Sequence, residues 1–163
     1  MFFCDNYSPA FQTQNIKELI PLLVNLIKKE AILRIQCEIV LEAILEIIST
    51  MVEEIITPYA PLAFDIILNY FVESYKNKEN QILYGVLIEC ITSLWIYTRE
   101  KYNKVILDII NCIVGLVKGF NIDKIEPIRA DLTNSLDRLL DVLKDDFKNL
   151  LPNLIETVLA LIK

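Results

Sequence analysis

Acidic side chains at a spacing of four residues are the feature of this sequence with the clearest potential for chemistry. Glu38, Glu42 and Glu46 lie on one face of a helix, because four residues are close to one helical turn, and Glu53 continues the line. The segment 35–54 holds five acids and no Lys or Arg. Like charges four residues apart destabilise a helix by about 0.2–0.5 kcal/mol per pair, so helix stability does not explain the pattern. The pattern predicts an acidic surface for a basic partner, although a solvated face without a ligand explains it equally well.

Other kinds of chemistry lack the residues they would need. The sequence contains no His, which removes the commonest general base and the Ser-His and Cys-His nucleophile pairs. Gly85, Gly115 and Gly119 are not spaced for a phosphate-binding loop. Four cysteines lack C-x-x-C spacing and are expected to be small buried hydrophobes in a reducing compartment: Cys4, Cys37, Cys90 and Cys112. We therefore predict a protein that is not an enzyme and needs neither a metal nor a cofactor.

Composition and charge argue against two classes of partner. The chain has 163 residues, 54% of them hydrophobic, and a net charge of −6. Lys and Arg form no cluster interleaved with aromatic residues, so direct binding of nucleic acid is not expected. The longest charge-free run, Asn6–Ile16, has 11 residues. A membrane-spanning helix needs about 20 apolar residues, so membrane insertion is not expected either.

The acidic residues need helices to position them, and the apolar periodicity predicts seven helices and no strand. The hairpin of segment 30–75 is the unit around which we expect the chain to be organised. Thr57-Pro58 predicts the start of its second helix, as an N-cap followed by proline at the first helical position. Three helices share one register of apolar residues: Cys37, Leu41 and Ile44; Leu87, Ile91 and Leu94; Leu132, Leu136 and Leu139.

The repeat length indicates a solenoid of helix pairs. Corresponding segments begin at Pro21, Pro61, Lys104 and Pro152, and two-helix repeats of about 40–47 residues are typical of HEAT and armadillo solenoids. We predict an all-α fold, a right-handed α-α superhelix of the HEAT type with about three helix pairs and one extra helix. Repeats are expected at about 13–54, 57–99 and 101–146, with the first helix of a further repeat at 147–163.

Short motifs in the sequence resemble those of one family of helical-repeat proteins. Ile20-Pro21 to Ile44 and Ile125 to Leu139 resemble the HEAT consensus, although Tyr84 replaces its arginine and Lys104 its proline. Four segments resemble the middle of an importin-beta type karyopherin, nearest the importin beta-3 branch: Val40-Leu41-Glu42, Glu53-Glu54 to Thr57-Pro58-Tyr59, Ile88-Glu89-Cys90-Ile91 and Phe147-Lys148-Asn149-Leu150-Leu151-Pro152. The sequence therefore resembles a fragment from the middle of a longer karyopherin.

The resemblance implies a segment of a nuclear transport receptor, found in the cytoplasm, the nucleus and the nuclear pore. Such receptors bind basic import cargo and the GTPase Ran on their concave face, and phenylalanine-glycine nucleoporins in grooves between helices. The second helices line the concave face of a HEAT solenoid, where Asp137 and Asp141 take the positions of Glu42 and Glu46. The candidate cargo-binding residues are Glu38, Glu42, Glu46, Glu53, Glu89, Asp137 and Asp141.

Two further expectations accompany this interpretation. The rival interpretation is a HEAT-repeat scaffold subunit of another complex, of the phosphatase or chromosome-organising type. Binding to GTP-loaded Ran would distinguish the two. The apolar helix at 147–163 lacks its partner, so we expect it to be partly uncovered and prone to self-association.

Overall fold

Helices make up the fold in the computed structural model, which describes residues 18–23, 25–27, 34–50, 53–102, 104–143, 154–157 and 159. The long helices are α1 (Arg34–Thr50), α2 (Ala60–Asn77), α3 (Tyr84–Trp95), α4 (Val105–Gly119) and α5 (Arg129–Leu143). Shorter helical turns lie at Glu53–Ile56, Gln81–Leu83, Arg99–Tyr102, Ile122–Ile125 and Glu126–Ile128. The described residues contain no strand, and the predicted all-α fold is confirmed.

Helix α3 is the centre of the described structure. It packs extensively against α1, α2 and α5, and also contacts α4. Every residue of α3 except Glu89 is buried. A helix that is apolar on all sides has to be covered on all sides. The described part of the chain is therefore centred on α3, and not on the hairpin of segment 30–75 that was predicted to hold this place.

The predicted apolar register is confirmed by burial. Its nine side chains, from Cys37 in α1 to Leu139 in α5, are each at most 2% exposed. The three helices that carry them, α1, α3 and α5, pack side by side in chain order. Stacking of successive second helices is the arrangement expected of a helical-repeat solenoid. The handedness of the superhelix and the limits of the repeats stay predictions.

The predicted start of α2 at Thr57-Pro58 was wrong, because this helix begins at Ala60. The Thr57 hydroxyl donates a hydrogen bond to the Glu53 carbonyl oxygen at 2.8 Å, so it extends the preceding helical turn and does not cap α2. A proline is still found at the beginning of α2, but it is Pro61. A threonine can bond backward as well as forward along the chain, and the sequence does not distinguish the two.

Tyr84, which replaces the consensus arginine, joins α2 to α3. Its buried hydroxyl donates to the Ser74 carbonyl oxygen at 2.9 Å. Its ring meets the Phe71 ring edge-on, with centroids 5.7 Å apart, and the Tyr75 ring at the same distance. At the position of the consensus arginine the structure therefore has an aromatic cluster with one hydrogen bond.

The predicted helix at 147–163 lies mostly outside the described residues. Where the structure describes it, Leu154 is buried, whereas Ile155 and Leu159 are each 54% exposed. Self-association through this helix stays a prediction.

Candidate functional site

A groove of about 420 Å³ lies where α1, α3 and α5 meet. We call it the acidic groove and define it by the residues that line it: Glu42, Leu45, Glu46, Ile48 and Ser49 of α1; Glu89 and Ser93 of α3; Ile96 and Tyr97 of the turn after α3; and Arg138 of α5. Three glutamates and one arginine give this lining a formal charge of −2. The apolar members give it a surface on which the stem of a long side chain can pack.

Helical spacing explains how the glutamates reach the groove. Glu42 and Glu46 are one turn apart on α1, on the face opposite the buried Leu41 and Ile44. Both carboxylates are exposed, so they meet a ligand without a large cost of desolvation. Packing of α1 against α3 therefore fixes the acidic face at the edge of the junction between these helices.

Glu89 is the most enclosed acid of the groove. Its side chain is 12% exposed, and its Oε1 atom lies 3.7 Å from Arg138 Nη2. The same oxygen accepts a hydrogen bond from Asn134 Nδ2 at 3.4 Å. Burial raises the pKa of the Glu89 carboxyl, while the Arg138 charge and the Asn134 hydrogen bond act to lower it. Glu89 is thus a partly desolvated carboxylate whose partners come from the next helix of the stack.

Asp131 lies beside the groove, against Gly85 of α3. Burial raises its pKa to about 6, and the charges of Glu89, Glu38 and Glu42 add to this effect. No ion pair with Asp131 is found among the described residues. Several negative charges therefore lie near Asp131, and no cation is paired with it among the described residues. Protonation of the Asp131 carboxyl near pH 6 relieves this repulsion.

The structure brings some of the predicted site residues together and separates others. Glu42, Glu46 and Glu89 line the acidic groove, and Glu38 is half-buried within electrostatic range of Asp131. Glu53 is exposed, and its charge adds to the burial that raises the pKa of Tyr97. Two predicted residues are exposed on α5 and do not line the groove: Asp137 and Asp141. Whether any of these residues contacts cargo stays a prediction.

Arg138 and Asp131 were missed by sequence reasoning. Arg138 is the only basic residue after Arg129 in α5, and it follows Asn134 by one helical turn. That spacing could have indicated a shared contact, because two side chains one turn apart lie on the same face of α5 and can reach the same residue of α3. Asp131 gave no such signal, since its environment is made by residues of α1 and α3 far away in the sequence.

The described part of the chain has neither a membrane-spanning helix nor a cluster of metal ligands. No helix there is both long enough and apolar enough to cross a membrane. No three or more acidic or cysteine side chains come together there as a set that could hold a metal ion.

Part of this chain is similar in sequence to an importin subunit of yeast. The importin subunit beta-3 of Saccharomyces cerevisiae (strain ATCC 204508 / S288c) is 33% identical to this chain over 89 residues. The matched region is 54% of this chain and 8% of the yeast protein. No family model and no solved structure matches the chain. The similarity supports a karyopherin-like relationship for a helical-repeat segment.

Proposed function

We propose that this chain is a segment of a nuclear transport receptor in which the acidic groove binds a basic segment of import cargo. The observation that carries the proposal is the groove itself, where Glu42, Glu46 and Glu89 face a common space beside apolar side chains. The similarity to an importin subunit supports the same class of function. No catalytic role is proposed for any residue.

The charge of the groove favours a ligand with several basic residues. An exposed ion pair contributes only about 0.2–1 kcal/mol, so a single Lys or Arg on Glu42 or Glu46 would bind weakly. A segment with neighbouring cations can engage both carboxylates and approach Glu89 as well. Because these pairs are exposed, salt should weaken the binding strongly.

The remaining partners follow from the proposed class of protein. We assign the α1, α3 and α5 side to the concave face, where Ran would compete with cargo, and the grooves between other helices to phenylalanine-glycine nucleoporins. The protein would move between cytoplasm and nucleus through the nuclear pore. Stacked repeats contact mainly their neighbours, so a small strain at each interface lets the array change curvature and favour one partner over the other.

Charge reversal tests the cargo proposal. We expect Glu42→Lys with Glu46→Lys to weaken binding of a fluorescent lysine-rich import-signal peptide at least about tenfold, since two attractive contacts become repulsive. Fluorescence anisotropy at two salt concentrations measures the loss. The matched control reverses two exposed glutamates outside the groove, Glu73→Lys with Glu100→Lys, which gives the same net charge. Equal effects of the two double variants would contradict a site in the groove.

Binding to Ran tests the class of protein. The full-length protein that contains this segment should retain GTP-loaded Ran in a pull-down and release it when Ran is loaded with GDP. Failure to retain Ran, together with intact binding of basic peptides, would favour the scaffold-subunit interpretation.

A further inference from the structure

Arg138 is the one basic side chain among the described residues that line the acidic groove. It reaches the groove from α5, and its Nη2 atom lies 3.7 Å from Glu89 Oε1. Its charge also acts on Tyr97 at the end of the groove, opposing the burial and the Glu53 charge that raise the pKa of that phenol. A guanidinium group of the protein thus stands in the space where a basic ligand would place its own cation.

The repeat does not require an arginine at this position. In the register that aligns the three stacked helices, Arg138 occupies the place of Ala43 in α1 and of Ser93 in α3. The small side chains at those places show that the helices stack without a long cation there. Arg138 is therefore a specific feature of this groove and not a general element of the repeat.

The contact between Arg138 and Glu89 is weak enough to be exchanged. A direct charge-assisted hydrogen bond measures about 2.7–2.9 Å, whereas this pair is separated by 3.7 Å. Glu89 Oε1 is shared with Asn134, and the Arg138 side chain is 34% exposed, so solvent is available to it when it leaves. Glu89 keeps the Asn134 hydrogen bond after such an exchange, which lowers the cost of losing Arg138.

We propose that Arg138 is a tethered competitor of the basic ligand, which pairs with Glu89 in the empty groove and yields it to an incoming cation. This inference rests on the proposed function and concerns the selectivity of the same site. A ligand with one positive charge gains little by displacing Arg138, because one ion pair replaces another. A ligand with several charges gains the additional pairs with Glu42 and Glu46. Arg138 therefore sets a minimum charge for binding.

Removal of the Arg138 charge tests this role with fluorescein-labelled octalysine as the probe. We expect Arg138→Gln to bind octalysine about fivefold more tightly at low salt, because a repulsive charge at a partly screened distance is lost. Arg138→Lys, which keeps the charge, should stay within about twofold of the parent chain. The control for net charge is Lys76→Gln, an exposed residue of α2 outside the groove, and it should also stay within about twofold. Arg138→Met provides a second neutral variant should the glutamine variant not fold.

A measurement without ligand tests the contact itself. Carbon-detected NMR titration of the Glu89 carboxyl should give a higher pKa in Arg138→Gln than in the parent, because the cation that lowers it is gone. An unchanged Glu89 pKa would overturn the proposed pairing.

The outcomes separate this inference from the proposed function. Octalysine binding that weakens in Glu42→Lys with Glu46→Lys but does not tighten in Arg138→Gln would overturn the competitor role and leave the cargo site standing. Binding that no groove variant alters, or no binding to any variant, would overturn both.

Discussion

Substitution of Gly85 by alanine tests how closely α3 and α5 approach. A β-carbon at this position would lie 2.9 Å from Ile128 Cβ and 3.0 Å from Asp131 Cβ, and it would also meet the Asp131 carboxylate oxygen. Ordinary contacts between carbon atoms are about 3.5–4.0 Å, so α3 must move away from Ile128, in the turn before α5, and from the first turn of α5 by roughly 0.5–1 Å. Both Cβ atoms are fixed to backbone, and a change of side-chain rotamer cannot relieve the clash.

Two opposing effects set the size of the change. Overpacking of a close contact costs about 1–3 kcal/mol, whereas alanine in a helix interior is about 0.8–1.0 kcal/mol more favourable than glycine. We therefore expect Gly85→Ala to lower the free energy of unfolding by about 1 kcal/mol, within a range of roughly 0–2.

Gly115 provides the matched control. It lies inside α4, and a β-carbon added there meets no atom within 4 Å. Gly115→Ala should therefore have the higher helix propensity of alanine without any overpacking, and it should raise the free energy of unfolding by up to about 1 kcal/mol. This propensity is common to both substitutions, so the difference between them, about 1–3 kcal/mol, measures the overpacking cost.

Urea unfolding of the parent chain and of the two alanine variants, followed by far-ultraviolet circular dichroism, measures both changes. Equal stabilisation by Gly85→Ala and Gly115→Ala would refute the close approach of α3 and α5 at Gly85. When Gly85→Ala is introduced beside Asp131→Ala and compared with Asp131→Ala alone, the overpacking cost should fall only in part, because the two Cβ contacts remain.

The remaining predictions concern ionisation. Because the pKa of Asp131 is raised to about 6, its charged form costs stability above pH 6, and this cost disappears as the pH falls from about 6 towards 4. Asp131→Asn should therefore stabilise the chain at pH 8 by roughly 1–2 kcal/mol, discounted for partial exposure, and by much less at pH 4.5. Asp137→Asn, on the exposed face of α5, should change the free energy of unfolding little. Urea unfolding measures these free energies, and an equal stabilisation by Asp131→Asn at the two pH values would contradict the prediction. Burial raises the pKa of the Cys112 thiol to about 11 and that of the fully buried Cys90 well above its usual value. Both should be alkylated by iodoacetamide at pH 8 at least about tenfold more slowly in the native than in the urea-unfolded chain, as measured by peptide mass mapping. Similar rates would contradict the burial of Cys90 and the partial burial of Cys112.

The sequence was sufficient to predict the helices and the apolar register that joins them. The register could be identified because Leu87 and Leu132 repeat the local pattern of Cys37, and a pattern of this kind depends only on helical periodicity and burial. Helix starts were less certain, as the backward hydrogen bond of Thr57 shows. The central place of α3 could not be predicted from α1 and α2, because it depends on contacts with α5, which lies farther along the chain.

The candidate site was predictable only in part. Glu42 and Glu46 are one turn apart on a single helix, so their shared face follows from spacing alone. The partners of Glu89 depend on how far α5 is rotated about its axis against α3. With the observed rotation Arg138 lines the groove, whereas Asp137, the adjacent residue, does not. A rotation of this size results from side-chain packing across the interface, and a repeat pattern does not specify it.

The position of α3 has a mechanical consequence for the array. Its principal contacts join α1 and α2 on one side to α5 on the other, so a force applied at one end reaches the other end mainly through this helix. A substitution that unfolds α1 or α5 would remove one helix from the described stack, whereas a substitution that unfolds α3 would separate α5 from α1 and α2.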